Sequence, residues 1–197
     1  MNERLDAVAL ASLSPRRRDL LEGLGLQVTV IRSAFDEKAA TWDGDPPELA
    51  AEFACRKAAA AENAGPSLVI AADTIVVIDG QLLGKPADPN QAARMLRTLS
   101  GREHTVYTGF CVVDRAKQQQ RNGVESTSVR FLPLTDAQIA SYVARGDPMD
   151  KAGAYGIQGR GGLMVSAITG DFFTVMGLPL ARLGQALVQL GYDLLAQ

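Results

Sequence analysis

The chain has 197 residues, of which 47% are hydrophobic and 21% are charged, and its formal net charge is −2. This length and composition allow a full-sized hydrophobic core and predict an ordinary globular protein. The near balance of acidic and basic residues excludes a general attraction to nucleic acid or to an anionic membrane, so any anionic ligand must be held locally.

Residues 1–11 lack the basic and then apolar layout of a signal peptide. No apolar run approaches the roughly 20 residues that a membrane-spanning helix needs. These two features predict a cytoplasmic protein whose partners include neither a membrane nor a nucleic acid.

Apolar periodicity and turn residues predict strands that alternate with helices. In the first half the pattern predicts a strand at 7–12, a helix from Ser14-Pro15 to about 25, a strand at 27–32, a loop at 33–47, a helix at 47–63, and strands at 67–78 and 81–83. In the second half it predicts a helix from 88 to about 100, strands near 104–113 and 123–132, a helix at 135–145, a glycine-rich loop at 146–162, and a helix at 179–190. Asp79-Gly80 is a strong hairpin signal, so the pattern favours a mixed α/β fold, as one domain with a cleft.

The cysteine and histidine content narrows the available chemistry. Cys55 and Cys111 lack the spacing of a zinc or redox motif, and we expect both to be small buried apolar residues without a disulfide. His104 is the single histidine, and we expect it to be structural or to line a cleft. Catalysis would therefore depend on Asp, Glu, Lys and Arg.

Asp73 lies in the middle of an apolar, strand-forming run. A buried carboxylate costs several kcal/mol unless it is paired, hydrogen-bonded or bound to a metal. With Glu37, from the loop at 33–47, it could bind Mg²⁺ or Mn²⁺. The alternatives are that Asp73 caps a neighbouring turn and that Glu37 is simply solvated.

The stretch from Ser12 to Arg18 combines a strand end, a helix start and three consecutive arginines. Free backbone N–H groups, the helix dipole and guanidinium groups would together bind an anion, with Ser12, Ser14, Arg16 and Arg17 as the candidate contacts. The alternative is an ordinary N-cap at Ser14 followed by a solvated basic turn.

Two lysines and a glutamine complete the set of candidates. Lys57 shares one helical face with Leu49 and Phe53, although a lysine in that position often extends to solvent. Lys85 lies in a Gly-Lys-Pro turn, where it could equally be an ordinary turn residue. Gln158 lies in a glycine-rich stretch and could pair with a pyrimidine edge, or the stretch could simply be a tight loop.

Five motifs in this order resemble the Maf family of nucleoside triphosphate pyrophosphatases, historically called septum formation inhibitors. They are SLSPRR at 12–17, ADTIV at 72–76, GKP at 84–86, HTVYTG at 104–109 and DKAGAYGIQG at 150–159. The resemblance covers nearly the whole chain. It implies an elongated mixed sheet flanked by helices, with two lobes around a deep cleft, as in inosine triphosphate pyrophosphatases.

The resemblance also implies an activity: metal-dependent cleavage of a nucleoside triphosphate to the monophosphate and pyrophosphate, as removal of unwanted nucleotides. Asp73 would be the catalytic acid, which accepts a proton from water directly or acts through the metal, and Glu37 would help to hold Mg²⁺ or Mn²⁺. Lys57 and Lys85 would join the Ser12–Arg17 stretch around the triphosphate. A homodimer is a candidate assembly.

Within the family, Arg16, Thr74 and Gln158 match positions that mark the dTTP/UTP branch. The resemblance therefore implies dTTP and UTP as substrates, with modified pyrimidine nucleotides as further candidates. Three alternatives remain: a 7-methyl-GTP pyrophosphatase, a broader nucleoside triphosphate pyrophosphatase, and a nucleotide-binding regulator of septum formation.

Overall fold

The computed structural model describes residues 3–37 and 44–196. Its strands are β1 (Ala7–Leu10), β2 (Gln27–Val30), β3 (Leu68–Ile78), β4 (Gln81–Leu83), β5 (Glu103–Asp114), β6 (Gln119–Phe131) and β7 (Val165–Gly170). Its α-helices are α1 (Pro15–Gly23), α2 (Pro46–Ala59), α3 (Pro89–Leu99), α4 (Asp136–Val143), α5 (Phe172–Met176) and α6 (Leu180–Gln189). In this part of the chain none of the helices is long and apolar enough to cross a membrane.

The strands form a mixed sheet in the order β2-β1-β3-β5-β6-β7, and β4 pairs with β3. β1 is parallel to both β2 and β3, whereas β4 is antiparallel to β3 and β7 is antiparallel to β6. Parallel neighbours need a crossover, which α1 and α2 provide. The predicted mixed α/β class is confirmed.

Local sequence signals account for most of the element boundaries. Asp79 and Gly80 both have positive φ, +49° and +74°, as a two-residue hairpin turn requires. Asp88 caps α3 by accepting a hydrogen bond from the Gln91 amide, and Thr135 with Gln138 forms a capping box at α4.

Three details differ from the predicted elements. α2 ends at Ala59 rather than near 63, because the next residues turn back: Ala61 bridges to Ser33, and the Glu62 amide donates to the Arg32 carbonyl. The predicted loop at 146–162 contains two 3₁₀ turns, at Ala152–Ala154 and Gly159–Met164. β7 and α5 were missed because their apolar patterns are short and the hydrogen bonds of β7 come from β6, which is distant in sequence.

The chain divides into two compact units, and the boundary falls within β3, β5 and β6. The first unit comprises the described residues of 1–73, 108–125 and 177–197, and the second those of 74–107 and 126–176. Each has its own apolar cluster. The predicted cleft between two lobes stays a prediction.

The first unit packs α2 very closely against β5. One apolar cluster of this unit is built mostly from small side chains, including Ala54, Ala58 and Cys111. A methyl group added at Gly109 would lie only 2.2 Å from the Ala50 carbonyl oxygen. The backbone of α2 therefore contacts β5 directly, and only glycine fits at that point.

The apolar core of the second unit encloses His104. The His104 side chain is 3% exposed, and its ring meets the rings of Phe131 and Tyr155 edge to face. Its Nε2 lies 2.7 Å from the Tyr155 hydroxyl, and its Nδ1 has no partner among the described residues. His104 is thus structural, one of the two roles expected from the sequence.

Burial lowers the pKa of His104 to about 4, because the charged imidazolium loses its hydration. Above the pKa of the unfolded state, near 6.5, His104 is neutral in both states and does not oppose folding. As the pH falls from there toward 4, the unfolded state binds a proton that the folded state does not, so the folded protein becomes less stable. We expect the free energy of unfolding to drop by about 2 kcal/mol from this group between pH 7.5 and pH 5. Urea denaturation at both pH values would measure the drop, and it should disappear in His104→Gln; an equal drop in the variant would contradict the assignment.

Candidate active site

Seven of the ten predicted site residues lie in the first unit: Ser12, Ser14, Arg16, Arg17, Glu37, Lys57 and Asp73. The other three, Thr74, Lys85 and Gln158, lie in the second unit. Asp73 and Thr74 are neighbours on β3, and the boundary between the units passes between them.

The loop from β1 to α1 is organised around Arg17. This side chain is only 8% exposed; its Nε donates to the Gly177 carbonyl at 2.7 Å, and an Nη donates to the Ser12 hydroxyl at 2.9 Å. The Ser14 amide also donates to the Ser12 hydroxyl, at 3.3 Å. Arg17 therefore holds the loop in place.

Ser14 occupies the N-cap position of α1, and Pro15 follows as its first residue. The Ser14 side chain makes no capping hydrogen bond, so the predicted N-cap is correct in position but not in the contact expected of it. The Ser14 side chain therefore does not occupy the first backbone amides of α1. These amides can donate hydrogen bonds to an anion. Arg16, half-buried in the first turn, adds positive charge there.

Lys57 lies between two carboxylates, and this is the central feature of the site. Its Nζ forms ion pairs with Asp73 Oδ1 and, at 2.7 Å, with Glu37 Oε1. The Lys57 and Asp73 side chains are 10% and 9% exposed, whereas that of Glu37 is 39% exposed. Asp73 therefore has the partner that its burial demands, and Lys57 does not extend into solvent.

Contacts between the segment 33–37 and α2 bring Glu37 to Lys57. The Ser33 hydroxyl donates to the Lys57 carbonyl at 2.9 Å. The Phe35 ring packs edge to face on Phe53 with centroids 5.2 Å apart, and the Arg56 guanidinium lies over Phe35. Sequence reasoning missed these anchors, although the aromatic Phe35 in a predicted loop was an available signal.

Arg17 connects the loop electrostatically to the acidic cluster. Burial lowers the pKa of its guanidinium, and the negative charge of Asp73 opposes that shift, as does that of Glu37. The first unit thus places two buried cations, Arg17 and Lys57, near two carboxylates. The burial of Arg17 had a sequence signal, because Leu20 and Leu21 lie three and four positions later on the same helical face.

In the second unit, backbone and ring contacts position the segments that carry Lys85 and Gln158. The Gly153 amide donates to the Gly84 carbonyl at 3.1 Å, next to the exposed Lys85. Gln158 is also exposed, three residues after Tyr155, which is anchored by His104. Thr74 is half-buried. The binding roles of these three residues stay predictions.

Glu37 and Asp73 suit a hard divalent cation in charge and ligand type, because both carboxylates reach one ammonium nitrogen and could therefore share a metal. No group of three or more His, Cys, Asp or Glu side chains with metal-binding geometry occurs in 3–37 and 44–196. Mg²⁺ is usually bound by one or two carboxylates and takes its remaining ligands from phosphate groups and water. The donor set therefore fits a divalent cation that takes its remaining ligands from phosphate oxygens or water.

Comparison with known proteins identifies the family. Residues 7–190 match the sequence model of the family described as Maf-like protein. The chain belongs to the Maf family. It is 48% identical over 191 residues to the dTTP/UTP pyrophosphatase of Moorella thermoacetica, a match that covers 96% of this chain and 97% of that relative. It is also 48% identical to the dTTP/UTP pyrophosphatase of Pelotomaculum thermopropionicum, over 95% of this chain and 98% of the relative.

Replacing Lys57 by methionine should destabilise this Maf family protein by roughly 3 kcal/mol, because the buried Asp73 loses its paired cation. Urea denaturation at neutral pH would give the free energy of unfolding. Lys57→Met with Asp73→Asn should recover part of the loss, since the unpaired charge is then absent. Lys85→Met is the matched control on an exposed lysine and should change the value by less than about 0.5 kcal/mol; strictly additive effects in the double variant would contradict the pairing.

Proposed function

We propose that this protein hydrolyses dTTP and UTP to the nucleoside monophosphate and pyrophosphate. The observation that carries the proposal is the Glu37–Lys57–Asp73 cluster, in which Lys57 and Asp73 are buried, together with the buried Arg17 of α1, whose charge interacts with both carboxylates. The names of relatives that are 48% identical over nearly the full chain supply the substrate class.

Asp73 is proposed as the general base. It would accept a proton from a water molecule as the water oxygen attacks the α-phosphorus, and the bond from that phosphorus to the bridging oxygen would break. The bridging oxygen leaves with pyrophosphate. Lys57 would hold the Asp73 carboxylate in position until substrate binds, since the two groups are in direct contact.

The triphosphate needs cations and hydrogen-bond donors around it. Arg16, Lys57 and Lys85 are proposed to offset the charge that builds on the leaving pyrophosphate, which is mainly electrostatic work. Ser12, Ser14 and the first amides of α1 are proposed to contact phosphate oxygens. Arg17 contributes mostly by positioning, because its guanidinium already holds Ser12 and Gly177.

Glu37 and Asp73 are proposed to hold Mg²⁺ or Mn²⁺ together with the substrate phosphates. When bound, such a cation neutralises phosphate charge and makes the phosphorus more electrophilic. Lys57 contacts both carboxylates in their present arrangement, so its ammonium would have to exchange one of these contacts for a phosphate oxygen.

Gln158 and Thr74 are proposed to select the pyrimidine. An amide offers one donor and one acceptor side by side, which complements O4 and N3–H of uracil or thymine. The cytoplasm, where nucleotide pools are found, is the proposed compartment, and a homodimer is the proposed assembly.

Pyrophosphate release from a panel of UTP, dTTP, CTP, 7-methyl-GTP and ITP with Mg²⁺ or Mn²⁺ tests the activity. We expect turnover of UTP and dTTP, reduced about 10²- to 10⁴-fold in Asp73→Asn because the base is lost. Glu37→Gln should also lose activity, whereas Asp36→Asn, on the adjacent exposed residue, should not. Preferred cleavage of 7-methyl-GTP or ITP would contradict the substrate, and absence of any cleavage would favour a binding regulator.

Gln158→Ala should lower the preference for UTP over CTP by about tenfold in kcat/KM, because it removes the hydrogen bonds to the base. Its effect on KM for CTP should be smaller, since the phosphate contacts are unchanged. Gln185→Ala, an exposed glutamine on α6, is the matched control and should leave both values as in the wild type. The same substrate ranking before and after Gln158→Ala would remove this residue from base recognition.

A further inference from the structure

Two buried tyrosine hydroxyls hold the glycine-rich loop just before Gln158. The Tyr155 hydroxyl lies 2.7 Å from Nε2 of His104, a residue of β5. The Gly156 amide donates to the hydroxyl of Tyr142 at 3.4 Å, and Tyr142 is a buried residue of α4. The backbone that leads to Gln158 is therefore attached to a strand and to a helix of the second unit.

Close backbone packing holds the loop just after Gln158. A methyl group added at Gly161 would lie only 1.9 Å from the Gly156 carbonyl oxygen, and one added at Gly162 would lie 2.7 Å from the Ile157 carbonyl oxygen. A residue with a Cβ fits at such distances only if the backbone shifts. The chain therefore turns back directly onto the two residues that precede Gln158.

The backbone of Ala154 shows that the surroundings impose this shape on the loop. Ala154 is fully buried and has a φ of +61°, in the left-handed region that a residue with a Cβ rarely adopts. Such a conformation costs energy and persists only where neighbouring contacts hold it. Here the Ala154 amide donates to the Lys151 carbonyl at 3.1 Å, and the next side chain, Tyr155, is held by His104. The loop thus has one defined shape.

A defined shape matters because the amide of Gln158 cannot by itself distinguish uracil from cytosine. Uracil and thymine present an acceptor at O4 and a donor at N3, whereas cytosine presents a donor at N4 and an acceptor at N3. A glutamine amide that turns over end for end exchanges its donor and acceptor, so it could pair with either kind of base. Discrimination therefore requires that the peptide groups around Gln158 be held in place, so that they favour one orientation of the amide.

We propose that His104, Tyr142 and Tyr155 are positioning residues for pyrimidine selection, which hold the loop in the shape in which Gln158 favours uracil and thymine over cytosine. The inference rests on the proposed hydrolysis of dTTP and UTP and on the role proposed there for Gln158. The three side chains act through the backbone of the loop and need not touch the nucleotide. Contacts to the base form before the phosphate reacts, so these residues affect KM for UTP more than kcat.

Tyr155→Phe and Tyr142→Phe each remove one hydroxyl and keep the ring, and kcat/KM for UTP and for CTP measures the effect. We expect each variant to lower the preference for UTP over CTP by about threefold, mainly through a higher KM for UTP. Neither substitution should lower the preference further in a Gln158→Ala background, because both act through that amide. An unchanged preference in either single variant, or additive effects with Gln158→Ala, would overturn the proposal.

Tyr192→Phe is the matched control for the loss of a buried hydroxyl. The Tyr192 hydroxyl donates to Asp114 Oδ2 at 2.8 Å, and both residues lie in the first unit. This variant loses a comparable hydrogen bond, so it should be less stable in urea, yet its preference for UTP over CTP should equal that of the wild type. An equal loss of preference in Tyr192→Phe would mean that lower stability alone accounts for the effect, and the positioning role would be wrong.

Hydrogen exchange of the free protein distinguishes this inference from the proposed function, because it needs no substrate. We expect the backbone amides of 156–162 to exchange about tenfold faster in Tyr142→Phe and Tyr155→Phe than in the wild type, whereas those of β1 should keep their rates. Absence of UTP and dTTP hydrolysis in the wild type would contradict the proposed function alone. Unchanged exchange of 156–162 in both variants would overturn the positioning role, whatever the hydrolysis assay shows.

Discussion

The ion pair between Lys57 and Asp73 is the interaction on which the first unit depends. A carboxylate on a buried strand is tolerated only with a partner, and here the partner is an ammonium group from a helix. The pair requires α2 to lie close to the sheet. The small residues Ala54 and Ala58, and Gly109 opposite Ala50, satisfy that requirement. The packing of small side chains thus lets α2 approach the sheet closely enough for the ion pair to form.

The same unit buries a second cation, Arg17, and uses it differently. Lys57 contacts carboxylates, whereas Arg17 donates to the hydroxyl of the nearby Ser12 and to the backbone carbonyl of Gly177, which is distant in the chain. One cation therefore balances charge and the other fixes the loop before α1. Fixed charges and donors of this kind favour catalysis by electrostatic stabilisation, because little reorganisation is needed when charge develops on a phosphate group.

The second unit follows another principle, in which a rigid apolar core supports exposed polar residues. His104, Phe131 and Tyr155 pack ring against ring and hold the middle of the glycine-rich loop. Gln158, further along that loop, stays exposed. An exposed amide on an anchored loop can meet a ligand with a small loss of conformational entropy.

The sequence by itself determined the mixed α/β class, the hairpin at Asp79-Gly80, the caps of α3 and α4, and the need for a partner at Asp73, since each follows from a local rule. Only the tertiary structure decided which partner Asp73 has, how Glu37 reaches Lys57, and that Arg17 is occupied within the protein. It also decided that β7 pairs with β6. These contacts join residues far apart in the chain, and local propensity carries no information about distance in space.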